Sequence, residues 1–185
     1  MFQLGDKVVY AGHGVAEVNE VVEKVVGDKT IKFFKLKFIY KGMTILVPMH
    51  EVARGSSVRP LSSDVNIERA MSALHETPKR LESNDFTPSS WNRRNKDYQM
   101  KLQSGNLIDI ASIYRDLMFI SQQKDLSFGE KNLLHVAEDL LVQEIVTVKQ
   151  EDKETTTRNL RRVFGNFSFV ARSMASAAVV QQQAI

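Results

Sequence analysis

The sequence predicts an α+β protein: an SH3- or Tudor-like five-stranded β-barrel followed by an all-α helical bundle. Three observations carry this reading. Residues 1–60 are rich in Val, Ile, Phe, Tyr and Thr and alternate roughly every second position, as half-buried strands do. From residue 61 the apolar spacing changes to the three-and-four repeat of amphipathic helices. The 185-residue length and 43% hydrophobic content are enough for two small cores. The expected organisation is a β domain over 1–60, a helical domain over 61–165, and a disordered tail over 166–185.

In the first domain, "DKVVYAGHGVAEVNEVVEKVV" and "TIKFFKLKFIYKGMTILVPMH" supply five short strands, with Gly12, Gly14, Gly27, Asp28 and Gly42 between runs. "VVGDKTIKF" and "IYKGMTI" have hairpin composition. Strands this short, with no helix between them, must close or curl around one core. In the second domain, "SSDVNIERAMSALHE" offers a Ser or Asp cap and places Ile67, Ala70, Met71 and Leu74 on one face. Ser89 or Ser90 is expected to cap the next helix, which carries Trp91 in its first turn and ends near "SGN". "NLIDIASIYRDLMFISQQ" spaces Leu107, Ile108, Ala111, Tyr114, Leu117 and Met118 helically. In "LSFGEKNLLHVAEDLLVQEIVTV", Ser127 and Glu130 stand in capping-box register. "QEDKETTTRNLRRVFG" either extends that helix or begins another after a break at the threonines.

Composition narrows the function. Without cysteine there is no disulfide framework, no thiolate zinc site and no cysteine nucleophile. The four histidines form no metal-ligand pair, and no HExxH, DxDxDG or P-loop pattern occurs, so neither a metal nor another cofactor is expected. "GHG" at 12–14 reads as a tight turn needing positive φ rather than as a catalytic site. A hydrolase built on His13 and Asp6 has correspondingly little support, and a non-enzymatic protein is expected. "MFQLGDKVVYAGHG" lacks the basic start and apolar run of a signal peptide, and no apolar stretch has the length of a membrane span. A soluble, cytoplasmic protein, monomeric by default, follows. The net charge of +3 says little by itself about a polyanionic partner, so the distribution of charge matters more.

That distribution singles out "SSWNRRNKDYQMKL", where Arg93, Arg94, Lys96 and Lys101 against Asp97 give a local charge of +3 around the only tryptophan. Trp91 shares a helical side with residues 94, 95 and 98, while Arg93 and Lys96 lie on a neighbouring side and could flank the indole. Two readings stay open. An apolar ring between cations can wedge at a DNA base step while the cations hold phosphates. A lone tryptophan in a small helical domain is also a common core anchor, with charges facing solvent. In the strand "MTILVP", Ile45 and Val47 should point one way and Leu46 the other, leaving an apolar residue outward unless a partner covers it.

Together "LGDKVVYAGHGVAEV", "MTILVP", "VRP", "SWNRRNKDYQMKLQSGN", "RDL" at 115–117 and "LSFGEK" at 126–131 resemble the CarD/CdnL family of bacterial transcription regulators over residues 2–146. The resemblance implies a Tudor-like barrel that binds the RNA polymerase β subunit through a strand edge, and a helical domain that contacts promoter DNA. By similarity, Trp91 is a minor-groove wedge at the upstream edge of the transcription bubble, with Arg93, Arg94, Lys96 and Lys131 as its DNA-contacting cations. The polymerase contact falls on Lys24, Ile45, Leu46, Val47 and Pro48. Some relatives carry a basic residue where this chain has Leu46. The expected function is stabilisation of the promoter open complex. The alternative is a protein-interaction adaptor with a polymerase-binding barrel and no direct DNA role.

Overall fold

A computed structural model describes residues 2–54, 57–78 and 88–165. The expected disordered tail, 166–185, and the connection before Trp91 lie outside the described residues or at their margin.

Five strands form one antiparallel sheet: β1 (Lys7–Tyr10), β2 (Gly14–Val26), β3 (Lys29–Phe38), β4 (Thr44–Pro48) and β5 (Val58–Pro60), in the order β4-β3-β2-β1-β5. The glycines stand where turns need them: Gly12, Gly27 and Gly42 have φ of 73°, 62° and 61°. β4 and β5 are the two edges, so the sheet curls without closing. A register shift between Val18 and Glu20 supports the curl, because a bulge sharpens local twist. Val47 of β4 and Val58 of β5 consequently meet the same core as Val8, Ala16, Val18, Phe34, Leu36 and Phe38.

Not all the strands are short. β2 has 13 residues and β3 has 10, and burial along β2 fades beyond Val18. Their distal halves therefore form a ribbon that outruns the core. A five-residue helix, α1 (Met49–Ala53), sits between β4 and β5. It is too short for periodicity to disclose.

The helical half comprises α2 (Asp64–His75), α3 (Pro88–Ser104), α4 (Leu107–Gln123), α5 (Phe128–Lys149) and α6 (Lys153–Gly165). Ser63 caps α2 by accepting from the Asn66 N–H, and Ile67, Ala70 and Leu74 are buried as their spacing predicts. α3 begins at Pro88, one of the residues best suited to a first helical position. Ser89 and Ser90, expected as caps, fall within the range of this helix. Asn106 caps α4, and Ser127 and Glu130 form the expected capping box on α5. The next break falls at Gln150, whose φ is 54°, ahead of the threonines, which lie within α6. α6 folds back onto the bundle, burying Leu160 and Phe164, with Phe164 edge-on to Tyr114 at 5.6 Å. Arg161 makes two 2.7 Å hydrogen bonds to Glu138 beneath it.

α5 joins the two halves. Glu144, 3% exposed, accepts two 2.7 Å hydrogen bonds from Arg59 on β5 and a third, 2.8 Å, from the Ser62 N–H. The neighbouring Gln143 accepts from the Val15 N–H at 3.2 Å. Arg59 also donates through Nε to the Gly105 carbonyl at 2.7 Å, tying β5 to the corner between α3 and α4. Val9 and Val15, cross-strand partners, are buried yet belong to neither core, on the sheet face opposite Val8 and Ala16. That face is the one α5 covers.

Gly14 is therefore constrained twice. Its φ is 103°, and a Cβ there would overlap the Gln143 amide. Gly14→Ala is expected to cost roughly 1–3 kcal/mol in urea denaturation, from strain and overlap together. In a Gln143→Ala background the overlap is gone, so the same substitution should cost measurably less.

Candidate nucleic-acid and protein interfaces

Trp91 is the fourth residue of α3 and is partly buried, packed against the margin of the helical core. Its six-membered ring lies over Gly129, where an added Cβ would stand only 3.2 Å from Cζ2 and 3.8 Å from Cε2. Glycine at 129 is thus the seat of the indole. The indole is thus anchored on the helical core and remains partly exposed.

Glu130, next to the seat, is 1% exposed and gathers the surrounding charges. It accepts from Lys124 at 2.8 Å and 3.2 Å, from the Ser127 N–H at 2.9 Å, and from Arg94 at 3.4 Å. Burial pushes its carboxyl upward, but the hydrogen bonds from Lys124 and Ser127 and the Lys124 charge outweigh this and hold it below its ordinary value. Arg94, expected among the DNA-contacting cations, is only 11% exposed at its side chain and turns inward to Glu130, joining α3 to α5.

The outward cations are Arg93 and Lys96 on α3 and Lys131 on α5, all exposed. Lys131 stands in the first turn of α5, where the helix dipole adds positive potential. α3 is held in place at its far end by Tyr98 and Leu102, both buried in the helical core. Burial, and then the Asp116 charge, push the Tyr98 phenol well above its ordinary range, so it stays neutral. Lys101 pairs with Asp97 at 3.2 Å and donates to Ser112 at 3.4 Å, which places it with the α3–α4 contact and away from the tryptophan group. The positive segment is therefore divided: Arg94 and Lys101 brace the helix, and Arg93 and Lys96 are exposed on it.

The residues expected at the polymerase contact divide by sheet face. Val47 is buried and Ile45 packs on the barrel core, opposite Phe34 and Leu36 respectively, so neither is presented outward. Both were expected at the contact; their side chains lie on the core face of β4. Leu46, 37% exposed, and Pro48 lie on the other face, opposite Lys35 and Phe33. Lys24 is on this same face opposite Ile31, and Val22 pairs with Phe33. One outer face thus carries Leu46 and Pro48 on the edge strand β4, Phe33 and Ile31 on β3, and Val22 and Lys24 on β2. Phe33, Val22 and Ile31 were missed in the sequence. The hairpin register discloses them, since Gly27-Asp28 sets the pairing from which their common face follows.

Among the described residues no group of His, Cys, Asp or Glu is arranged to hold a metal ion, and no helix is long and apolar enough to cross a membrane.

Comparison with known proteins agrees with both halves. The CarD-like/TRCF RID domain model matches residues 2–62, and the CarD C-terminal domain model matches residues 74–161. The second match runs past the motif resemblance and takes in most of α6. The chain is also similar to "Putative transcription factor YdeB" of Bacillus subtilis (strain 168), 27% identical over 149 residues that cover 80% of this chain and 93% of that protein.

Glu130→Gln tests the seat. A carboxyl held below its unfolded value contributes stability above that value, about 4.3, and loses it as pH falls through the folded one. The variant should cost about 1–3 kcal/mol at pH 7, with the difference from wild type closing below about pH 4. Guanidinium unfolding followed by the fluorescence of the single tryptophan checks both.

Proposed function

The chain belongs to the CarD family of transcription regulators, and on that premise we propose that it binds the RNA polymerase β subunit through the outer face and edge of β4 and stabilises the promoter open complex through Trp91. The observation that carries this reading is the seated, partly buried indole in the same corner of the bundle as exposed Lys131, on a helix that also exposes Arg93 and Lys96. A ring fixed on Gly129 has little rotamer freedom left to lose when it enters a base step. Prior ordering of this kind is what a wedge requires. Cations on either side meet phosphates, which position the protein without reading sequence.

No bond is made or broken. The protein shifts the equilibrium between closed and open promoter only by its greater affinity for the open one. Recruitment by the barrel raises the local concentration of a wedge whose own phosphate contacts are few. The β4 edge is suited to that task, because its backbone groups on one side face no other strand of the sheet and Leu46 and Phe33 offer apolar surface beside it.

Two substitutions separate the parts. With polymerase of the source bacterium on a promoter whose opening is unstable, wild-type protein should lengthen open-complex lifetime. Trp91→Ala should shorten it again by about fivefold or more, the loss of roughly 1 kcal/mol of ring contact, while polymerase binding persists. An unchanged lifetime with a folded variant would favour the adaptor reading. Leu46→Asp, on the sheet face opposite the core, should leave stability within about 0.5 kcal/mol and weaken polymerase binding by roughly tenfold.

A further inference from the structure

Phe128 is 88% exposed, more than any other large hydrophobic residue in the described chain. It is the first residue of α5, immediately before the glycine that seats Trp91. Nothing in the helix start calls for an aromatic there, since the Ser127–Glu130 capping box closes without it. Side chains in an α-helix lean toward its N-terminus, so the ring projects off the end of α5 and away from the bundle. Lys131 lies three residues on, on the same side of the helix, and is exposed. The corner thus carries two aromatic rings of different character: Trp91 anchored on the protein, and Phe128 standing in water beside a cation.

We propose that Phe128 is a stacking site for an unpaired nucleobase adjoining the Trp91 wedge, with Lys131 on the phosphate of the same strand. The inference rests on the DNA role proposed above. A wedge at a duplex end leaves the next base without its stacking neighbour, and a free aromatic face next to the wedge replaces that neighbour whatever the base. Continuity with the tryptophan group and the positive charge around it favour nucleic acid over an apolar protein partner.

The full chain, at low salt, is titrated against a duplex with a single-stranded extension, the same DNA with an abasic residue as its first unpaired nucleotide, and continuous duplex. Wild type should bind the intact fork about fivefold or more tighter than the abasic one, the lower end of what base–aromatic stacking contributes. Phe128→Ala should lose that ratio while its duplex binding stays within twofold, and Phe128→Trp should recover it. Equal binding of intact and abasic forks by wild type, with strong salt dependence, overturns the stacking site and leaves the phosphate contacts standing. No binding to any of the three DNAs, by wild type at low salt, overturns the DNA role itself and the stacking site with it. A Phe128→Ala protein that keeps the ratio but loses capture of polymerase holoenzyme makes the ring a protein contact, which also overturns the proposal.

Discussion

The grip of α5 on the barrel, through Gln143 and Glu144, is the constraint on which the rest of the molecule depends. A buried carboxylate must have donors, and Glu144 receives them from Arg59 in a two-pronged pair and from the backbone of Ser62. Those donors belong to β5 and the chain just after it. The same Arg59 reaches the Gly105 carbonyl at the end of α3. Barrel, α3–α4 corner and α5 therefore meet at one guanidinium. Gly14 and Gly105 permit the approach, since a Cβ on either would collide with the opposing half.

From that junction α5 runs back to the tryptophan seat. Glu130 and Glu144 are separated by about 21 Å at 1.5 Å per residue. The two buried glutamates have parallel tasks at the two ends: one gathers Arg59 from the barrel, the other gathers Arg94 and Lys124 around the indole. A single helix thereby sets the distance between the outer face of the sheet and the cationic corner. Under the proposed function, in which the sheet meets polymerase and the corner meets DNA, that distance is a functional quantity.

Much of this was legible locally. Ser127 and Glu130 announce a capping box, Ile67, Ala70 and Leu74 mark a buried face, and Leu46 can be placed outward from strand alternation alone. Long-range pairing was not legible. Arg94 reads as one more cation of a positive segment, yet its partner Glu130 lies 36 positions away and turns it inward. Gln143 and Glu144 carry no local sign of their role, because the residues outside α5 that they bind lie 82 or more positions earlier. Gly12 and Gly14 were explained by turn geometry, which is correct, but for Gly14 the pressure of α5 is a second reason that no local pattern carries. Ile45 and Val47 belong to the barrel core for the same alternation that sends Leu46 outward.

The continuity of α5 also has a consequence for how such a chain can vary. Each residue added to an α-helix turns everything beyond it by about 100°. One residue inserted between Lys131 and Asp139 would carry the tryptophan seat round the helix axis, away from α3, while Gln143 and Glu144 kept their hold on the barrel. An addition of about seven residues, two full turns, would restore the facing to within roughly 20°, but it would also move the seat by about 10 Å along the axis, past its partners on α3. Length change in this segment thus breaks either the facing or the spacing of its two ends, whereas the loops and the distal β2–β3 ribbon are free of that arithmetic.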